Sequence, residues 1–203
     1  MTNNLKRIAL LTVLIYFCCL GCQKEAIDSD LVPAIEASTN TKSTVKTGTD
    51  CEMEPFCETA FAEGCWVWTT SKKSNPEGRN SLELTKNRWG WAINLTCDCR
   101  VFDIWAGAAL NDTSKGIHVG TLKVERDGSK VTVTYSMKDG YCMKEVHLYA
   151  SVMPPTTIAP GQYGNTEEFD SNETEYTFKV SIEDADSDGI WLIAHAVVCN
   201  TCG

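Results

Sequence analysis

Cysteine is the residue type in this sequence with the widest capacity for chemistry. The chain has 203 residues and 11 cysteines, a number that a cytosolic protein of this size rarely carries without a metal or a catalytic reason. Three of them stand near the start of the chain, and the other eight are Cys51, Cys57, Cys65, Cys97, Cys99, Cys142, Cys199 and Cys202. An even number outside the cytoplasm predicts disulfides. We expect at least three, one of which joins the 51–65 segment to the Cys199 and Cys202 end.

Two pairs of these cysteines have spacings that other chemistry also uses. Cys97-x-Cys99 together with Cys199-x-x-Cys202 could supply four thiolates to a zinc ion. A redox role for the second pair would need a helix N-terminus to lower the thiol pKa, and only Gly203 follows. We therefore interpret these cysteines as disulfide partners, with zinc as the alternative.

An acidic segment near the end of the chain matches the first half of a calcium loop. Asp184, Asp186 and Asp188 alternate along the chain and are followed by Gly189, so their carboxylates could converge on a hard cation. The twelfth position of this loop is His195, where the helical version of the loop has Glu. The sequence leaves two alternatives open, a weak calcium site and a solvated acidic turn. We expect no other cofactor.

The three histidines, His118, His147 and His195, all lie in segments whose pattern is extended. Three imidazoles together could hold a metal ion. The apolar neighbours of His195 favour a buried imidazole hydrogen-bonded to the backbone. The phase of the strand around His147 places that residue and Tyr149 on a wetter face.

Tryptophan provides the remaining functional candidates, because an indole ring offers a sugar both apolar area and a polar edge. The six tryptophans are Trp66, Trp68, Trp89, Trp91, Trp105 and Trp191. Most such residues fill cores. We take Trp66, Trp89, Trp91, His147 and Tyr149 as candidate ligand-binding residues. The sequence has no Gly-x-Ser-x-Gly motif and no phosphate-binding glycine loop, so no catalytic residue is predicted.

The scaffold that must position these side chains is predicted from the segment 117–150. Val119–Glu125, Lys130–Met137 and Met143–Ala150 are rich in β-branched and apolar residues. Asp127-Gly128 and Asp139-Gly140 separate them, and Asp-Gly provides the positive φ of tight hairpin turns. The segment predicts a three-strand meander, with one apolar face that a second layer must cover.

The rest of the globular part also has the patterns of strands. Residues 176–182 alternate between apolar and polar, as in a strand with one wet face, whereas Ile190–Val198 is almost entirely apolar, as in a central strand covered on both sides. We count eight or nine strands and no convincing helix. Residues 51–203 are therefore predicted to form an all-β domain, a two-sheet antiparallel β-sandwich stabilised by disulfides.

The two regions before this domain have different patterns. Lys6 and Arg7 precede a short apolar run that is too short for a membrane span and ends in Leu20-Gly21-Cys22. This region resembles a bacterial lipoprotein precursor, in which the cysteine is lipidated after cleavage. The resemblance implies a signal peptide over residues 1–22 and lipidation of Cys22. Residues 23–50, rich in Thr and Ser, are predicted to be a flexible tether. The start of this tether, Gln23-Lys24-Glu25 with Asp28 and Asp30, resembles the short charged signal that some Gram-negative lipoproteins carry for export to the cell surface.

Net charge limits the possible partners. The whole chain carries a net charge of −9, and removal of residues 1–22 leaves 16 basic against 27 acidic residues. Nucleic acid is not an expected partner, because phosphate binding needs clustered Lys and Arg. We expect attachment to the outer membrane through the lipid anchor, with the domain facing the extracellular side.

Motifs across the globular part resemble an uncharacterised secreted or surface-anchored all-β domain of bacteria. They are Glu58-Thr-Ala-Phe-Ala, Arg88-Trp-Gly-Trp, His147-Leu-Tyr149, Ala159-Pro-Gly-Gln-Tyr163 and Ala194-His-Ala-Val-Val-Cys199. The resemblance implies an extracellular accessory module and brings no catalytic residue with it.

The function predicted from these observations is binding or assembly at the cell surface, including adhesion, with a glycan or a surface protein as partner and without catalysis. One alternative is a metal-dependent hydrolase that uses His147 or His195 with nearby carboxylates. Another is a purely structural envelope lipoprotein.

Overall fold

A computed structural model describes residues 56–96, 99–183 and 188–200 of the chain. The strands are β1 (Cys57–Ala62), β2 (Trp66–Thr69), β3 (Asn80–Thr85), β4 (Trp91–Leu95), β5 (Cys99–Ala106), β6 (Ile117–Asp127), β7 (Lys130–Met137), β8 (Cys142–Ser151), β9 (Gly164–Glu173), β10 (Glu175–Ser181) and β11 (Ile190–Cys199). Short 3-10 turns cover Lys72–Ser74, Ala109–Asn111, Thr113–Lys115 and Pro160–Gln162. In these ranges no helix is long and apolar enough to cross a membrane.

The hairpin of β6 and β7 forms where the sequence predicts it. The two strands pair in antiparallel register from Gly120 opposite Met137 to Asp127 opposite Lys130. Gly128 has a φ of 61°, which a side chain would oppose. The apolar residues of β7 point to the core, and its Thr and Ser residues lie on the outer face.

The prediction of a three-strand meander is wrong at its second turn, because β8 does not pair with β7. Strand β10 occupies that edge of β7, with Phe178 opposite Val133. Strand β8 instead pairs with β11 and β9. The Tyr135 hydroxyl of β7 donates a 3.0 Å hydrogen bond to the carbonyl oxygen of His147 in β8, so the two strands face each other across the core.

Strand β11 is the axis of the sheet. One of its edges pairs with β8 along its length. The other edge is shared, since residues 195–199 pair with β1 and residues 190–192 pair with β4. A large branch continues from β1 through β5, β6 and β7 to β10, and a small branch, residues 66–95, contains β4, β2 and β3.

The all-β prediction is confirmed, and the strands are joined differently from two separate sheets. All eleven belong to one continuous sheet, which is mixed because β2 and β3 run parallel. The sheet folds over itself, so the body resembles a sandwich. Its two layers are nevertheless parts of one sheet, connected through paired strands. The count exceeds the expected eight or nine because β3 and β9 form in segments that were not expected to be strands.

Two hydrophobic cores lie on opposite faces of β11. Leu192, Ala194 and Ala196 face a large core that also includes Ile93, Leu95, Ile104, Leu122, Val124, Val131, Val133, Tyr135, Val146, Leu148 and Phe178. Trp191 and Ile193 face an aromatic core formed with Phe61, Val67, Trp68, Trp91, Ala92, Ala108 and Tyr163. Burial on both faces explains the almost uninterrupted apolar sequence of this strand, as predicted.

Candidate functional site

All three histidines of the chain lie in one row of paired residues across six strands. The pairing registers place Thr166 opposite His147, His147 opposite His195, His195 opposite Phe61, Phe61 opposite Trp105, and Trp105 opposite His118. We call these six residues the histidine row. It runs on the face of the sheet that carries the aromatic core, because residues two apart on a strand share a face.

A bulge in β6 aligns the outer end of the row. Ile104 pairs with Gly120, but the next residue, Trp105, pairs with His118, so Val119 is the extra residue on β6. Gly120 could not carry a side chain there, since a Cβ would lie 2.4 Å from the carbonyl oxygen of Ser136. The bulge thus brings the His118 ring to a centroid distance of 5.0 Å from the Trp105 ring, with 31° between the planes.

The inner half of the row is buried. The His147 and His195 ring centroids lie 5.2 Å apart, and His195 lies 4.9 Å from the Phe61 ring. His147 Nε2 contacts a carboxylate oxygen of Glu145, and His147 Nδ1 lies 3.3 Å from the Thr166 hydroxyl. His195 Nδ1 has no hydrogen-bond partner. His195 is buried as predicted, and the expected position of His147 on a wetter face is wrong, because His147 is buried too.

Burial dominates the electrostatics of this half. Together with the neighbouring His147 ring, burial lowers the pKa of His195 to about 3. Burial also lowers the pKa of His147, and the carboxylates of Glu145 and Glu168 offset part of that change. Both imidazoles are therefore neutral at neutral pH.

The outer end of the row reaches solvent and carries a polar cluster. The Lys138 ammonium lies 2.6 Å from His118 Nδ1 and can only donate, so the hydrogen of this imidazole is on Nε2. That nitrogen donates to the carbonyl oxygen of Gly120 at 2.9 Å and lies 3.2 Å from an Asp103 carboxylate oxygen. The His118 ring is thereby fixed beside Trp105.

Trp105 itself is held from the opposite side. Its indole Nε1 donates to the Glu63 carboxylate at 2.8 Å. The other oxygen of this carboxylate contacts the Arg79 guanidinium. Arg79 also donates to the carbonyl oxygen of Gly64 at 2.6 Å and lies 5.9 Å from the Trp91 ring centroid. We call the group of Glu63, Arg79, Asp103, Trp105, His118 and Lys138 the Trp105 site.

The Trp105 site is the arrangement in the described residues that most resembles a ligand site. It combines a half-buried indole with donors and acceptors from separate parts of the chain, as small-ligand sites do. None of these residues was among the predicted ligand-binding residues. The alternating pattern of β5 places Asp103 and Trp105 on one face, but nothing local indicates that Glu63, His118 and Lys138 join them.

The predicted ligand-binding residues mostly contribute to the aromatic core. Trp91 and His147 are buried and cannot contact a ligand at the surface. Trp66, Trp89 and Tyr149 are half-buried and pack against the same core. Among the described residues no tryptophan is exposed, so an open platform of several indoles is not formed.

The three histidines do not converge as a metal site would require. His118 lies three strands from His195, about 14 Å at ordinary strand spacing. Within the described residues no group of three His, Cys, Asp or Glu side chains is placed to hold a metal ion. Of the predicted calcium loop, Asp184 and Asp186 lie outside these residues, and Asp188 is exposed.

One disulfide joins the two segments that the sequence analysis connected. Cys57 at the start of β1 is bonded to Cys199 at the end of β11, and Cys142 is disulfide-bonded too. Cys65 was a predicted disulfide partner but is free and exposed. It lies beyond the opposite end of β1, about 17 Å of strand away from the Cys57–Cys199 bond.

The remaining cysteine predictions are not described by the structure. Cys22, Cys51, Cys97 and Cys202 lie outside the described residues, as do the side chain of Cys99, the signal peptide and the tether. The expected number of three disulfides, the zinc alternative and the lipidation therefore stay predictions.

These features define the class of the domain, an all-β body with a disulfide between its first and last described strands. Comparison of the chain with protein-family models, with curated proteins and with solved structures gave no match.

Proposed function

We propose that this domain is a non-catalytic binding module, displayed at the bacterial surface on a lipid anchor, and that it binds a glycan at the Trp105 site. The observation that supports this most is the fixed pair of rings, Trp105 and His118, with charged groups on both sides. An indole flanked by hydrogen-bonding side chains suits a sugar, which has apolar ring faces and hydroxyl edges.

Pre-organisation supports the proposal further. Trp105 and His118 each have a polar atom held by a protein partner, so little side-chain freedom is lost on binding. The charged groups are also open to a ligand. The Asp103 side chain is 52% exposed, and Lys138 is exposed with its ammonium 2.6 Å from His118 Nδ1. A binding site needs both rings that are already held in place and charged groups that a ligand can reach.

The buried histidines support binding over the hydrolase alternative. His147 and His195 lie side by side with their rings covered, and His147 is occupied by Glu145 and Thr166. Neither imidazole is placed to activate a water molecule at the surface.

The binding proposal is tested with the full-length protein in detergent against an array of immobilised bacterial and host polysaccharides. Trp105→Ala is expected to weaken binding to any retained polysaccharide by about 10-fold or more, as truncation of a central aromatic residue does. Val101→Ala is the matched control, because Val101 is exposed on the same face of β5. It should change affinity by less than about twofold. Equal affinities of the Trp105→Ala variant and the wild-type protein would contradict the proposed site.

The anchor has its own test. Cys22→Ser should move the protein from the membrane fraction to the soluble fraction and abolish incorporation of labelled fatty acid, with polysaccharide binding unchanged. Retention of the label in this variant would contradict lipidation at Cys22. Protease treatment of whole cells then tests exposure, since only a domain on the extracellular side is cleaved.

A further inference from the structure

We infer that the small branch is an acid-released cover over the buried half of the histidine row. The small branch packs directly onto this half, since the Trp68 and Trp89 rings meet Phe61 edge-on at 4.8 and 5.2 Å. Phe61 in turn contacts His195. Neither His195 nor His147 belongs to the Trp105 site, and the two proposals share only the contact between Arg79 of the small branch and Glu63 at the end of β1.

The small branch is attached to the sheet through short ladders. Strand β4 pairs with only three residues of β11, namely Ile190, Trp191 and Leu192. Strand β2 pairs with β4 through only two residues. Most ladders of the large branch are longer, such as Gly120–Asp127 with Lys130–Met137, although β1 and β5 also pair through three residues. Short ladders on a peripheral element favour local opening. Because Ile93 and Leu95 of β4 are buried in the large core, the part of the small branch that opens without global unfolding is residues 66–90.

Unpaired polar atoms lower the stability of the closed cover further. Four buried side-chain atoms in the described residues have no hydrogen-bond partner, namely Trp68 Nε1, Trp91 Nε1, Tyr163 OH and His195 Nδ1. All four lie in the aromatic core or, for His195, against it. Opening returns such atoms to water, so the closed state is kept by ring packing alone at these positions.

The two buried histidines make this opening more favourable as the pH falls. His195 and His147 are neutral while covered and take up protons near pH 6.5 once exposed. Above that pH neither group affects the equilibrium. As pH falls below it, the open state binds a proton that the covered state excludes, and each such proton favours opening by up to about tenfold per pH unit. For His195 this gain continues to about pH 3.

The other ionisable groups around the row affect the charge of His147, stay neutral, or hold the small branch in place. Glu145 and Glu168 lie on β8 and β9 beside His147 and favour its charged form, so His147 is the weaker trigger. Tyr163 stays neutral throughout, because burial raises its pKa. On the small branch, the Arg79 guanidinium bound to Glu63 fastens the cover to the end of β1.

The test follows acrylamide quenching of tryptophan fluorescence between pH 7.5 and 3.5 on the full-length protein in detergent, with far-UV circular dichroism in parallel. Four of the six tryptophans are in the small branch. We expect quenching to rise on acidification while the strand signal is retained. His195→Phe and His195→Gln should move the midpoint of this rise down by about one pH unit or more, because each removes the stronger trigger.

His118→Gln is the matched control, since His118 lies in the same row but outside the buried half, and its midpoint should stay within about 0.3 pH unit of the wild-type value. Two results would overturn the inference. One is an equal midpoint for both His195 variants and the wild-type protein. The other is loss of the strand signal together with the rise in quenching, which would mean that the whole domain unfolds at once.

Discussion

The large core and the aromatic core share strand β11 and differ in how their polar atoms are paired. In the large core the buried Tyr135 hydroxyl donates to the carbonyl oxygen of His147. In and against the aromatic core, two indole N–H groups, the Tyr163 hydroxyl and one imidazole nitrogen are buried without a partner. Among the described residues, the unpaired buried side-chain polar atoms therefore lie on the side of the aromatic core.

The difference follows from which strands enclose each core. The large core lies between two layers of long paired strands, so its residues are almost all aliphatic and fully enclosed. The aromatic core is closed by the short strands of the small branch and by loops. Because these elements contribute few residues, large aromatic rings supply most of the buried apolar area. Indole and phenol groups bring polar atoms with them, and the short elements offer few backbone partners.

The disulfide between β1 and β11, two strands that contribute to both cores, provides the largest expected effect. The Cys57–Cys199 bond joins β1 to β11 and closes a sequence separation of 142 residues. In the entropy model such a loop contributes about 5 kcal/mol, and measured values are usually nearer 2 to 4 kcal/mol. Cys57→Ala/Cys199→Ala should therefore lower the free energy of unfolding in urea by about 3 kcal/mol or more, and both cores should lose stability together. Cys65→Ala is the control, with a change within about 0.5 kcal/mol because that thiol is free and exposed.

Two adjacent residues of β11 compare the cores directly. Leu192 faces the large core and Ile193 faces the aromatic core, and neither is exposed to solvent. Truncation to Ala leaves a cavity in either case and should cost about 2 to 5 kcal/mol. We expect Leu192→Ala to lower the stability of the whole domain in urea. Ile193→Ala should increase hydrogen exchange mainly in residues 66–95. The same exchange pattern in both variants would show that the cores do not differ in cooperativity.

A buried amide tests how the aromatic side depends on its few polar contacts. The Asn111 side-chain oxygen accepts from the Gly90 amide at 2.7 Å, and its nitrogen donates to the carbonyl oxygen of Ser74 at 2.6 Å. Asn111→Ala removes both bonds and leaves their partners unpaired, at a cost of about 2 to 4 kcal/mol. Asn111→Asp keeps the acceptor but sets a carboxylate oxygen against the Ser74 carbonyl oxygen in a buried place, so it should lose at least as much in the same urea titration. A loss below 0.5 kcal/mol for the Ala variant would mean that water replaces the amide.

The sequence predicts individual strands and turns better than it predicts which distant strands pair with one another. Strands β6 and β7 follow from their alternating residues and from Asp127-Gly128, and the double burial of β11 follows from its apolar run. Asp139-Gly140 has the same turn chemistry, but β10 pairs with β7 in place of β8. A dipeptide fixes a turn, and it does not specify which later strand occupies the edge.

The candidate site was harder to predict for the same reason. His195 and Phe61 meet through the pairing of the first described strand with the last, and Trp105 meets His118 only because Val119 bulges. Registers between distant segments depend on packing of the whole sheet, and no local pattern carries that information. Burial of His195 was predictable, since its neighbours are all apolar.

A pair of tyrosines gives the smallest and most specific test of the contrast between the cores. The Tyr135 hydroxyl in the large core is hydrogen-bonded, and the Tyr163 hydroxyl in the aromatic core is not. Tyr135→Phe removes a bond and leaves a carbonyl oxygen without this donor, so the free energy of unfolding should fall by about 1 kcal/mol. Tyr163→Phe removes only an unpaired buried hydroxyl, so stability should stay unchanged or rise by up to about 1 kcal/mol. Matched urea titrations of the two variants measure the difference. An equal loss in both would mean that Tyr163 has a partner in solution, and the contrast between the two cores would then not extend to that residue.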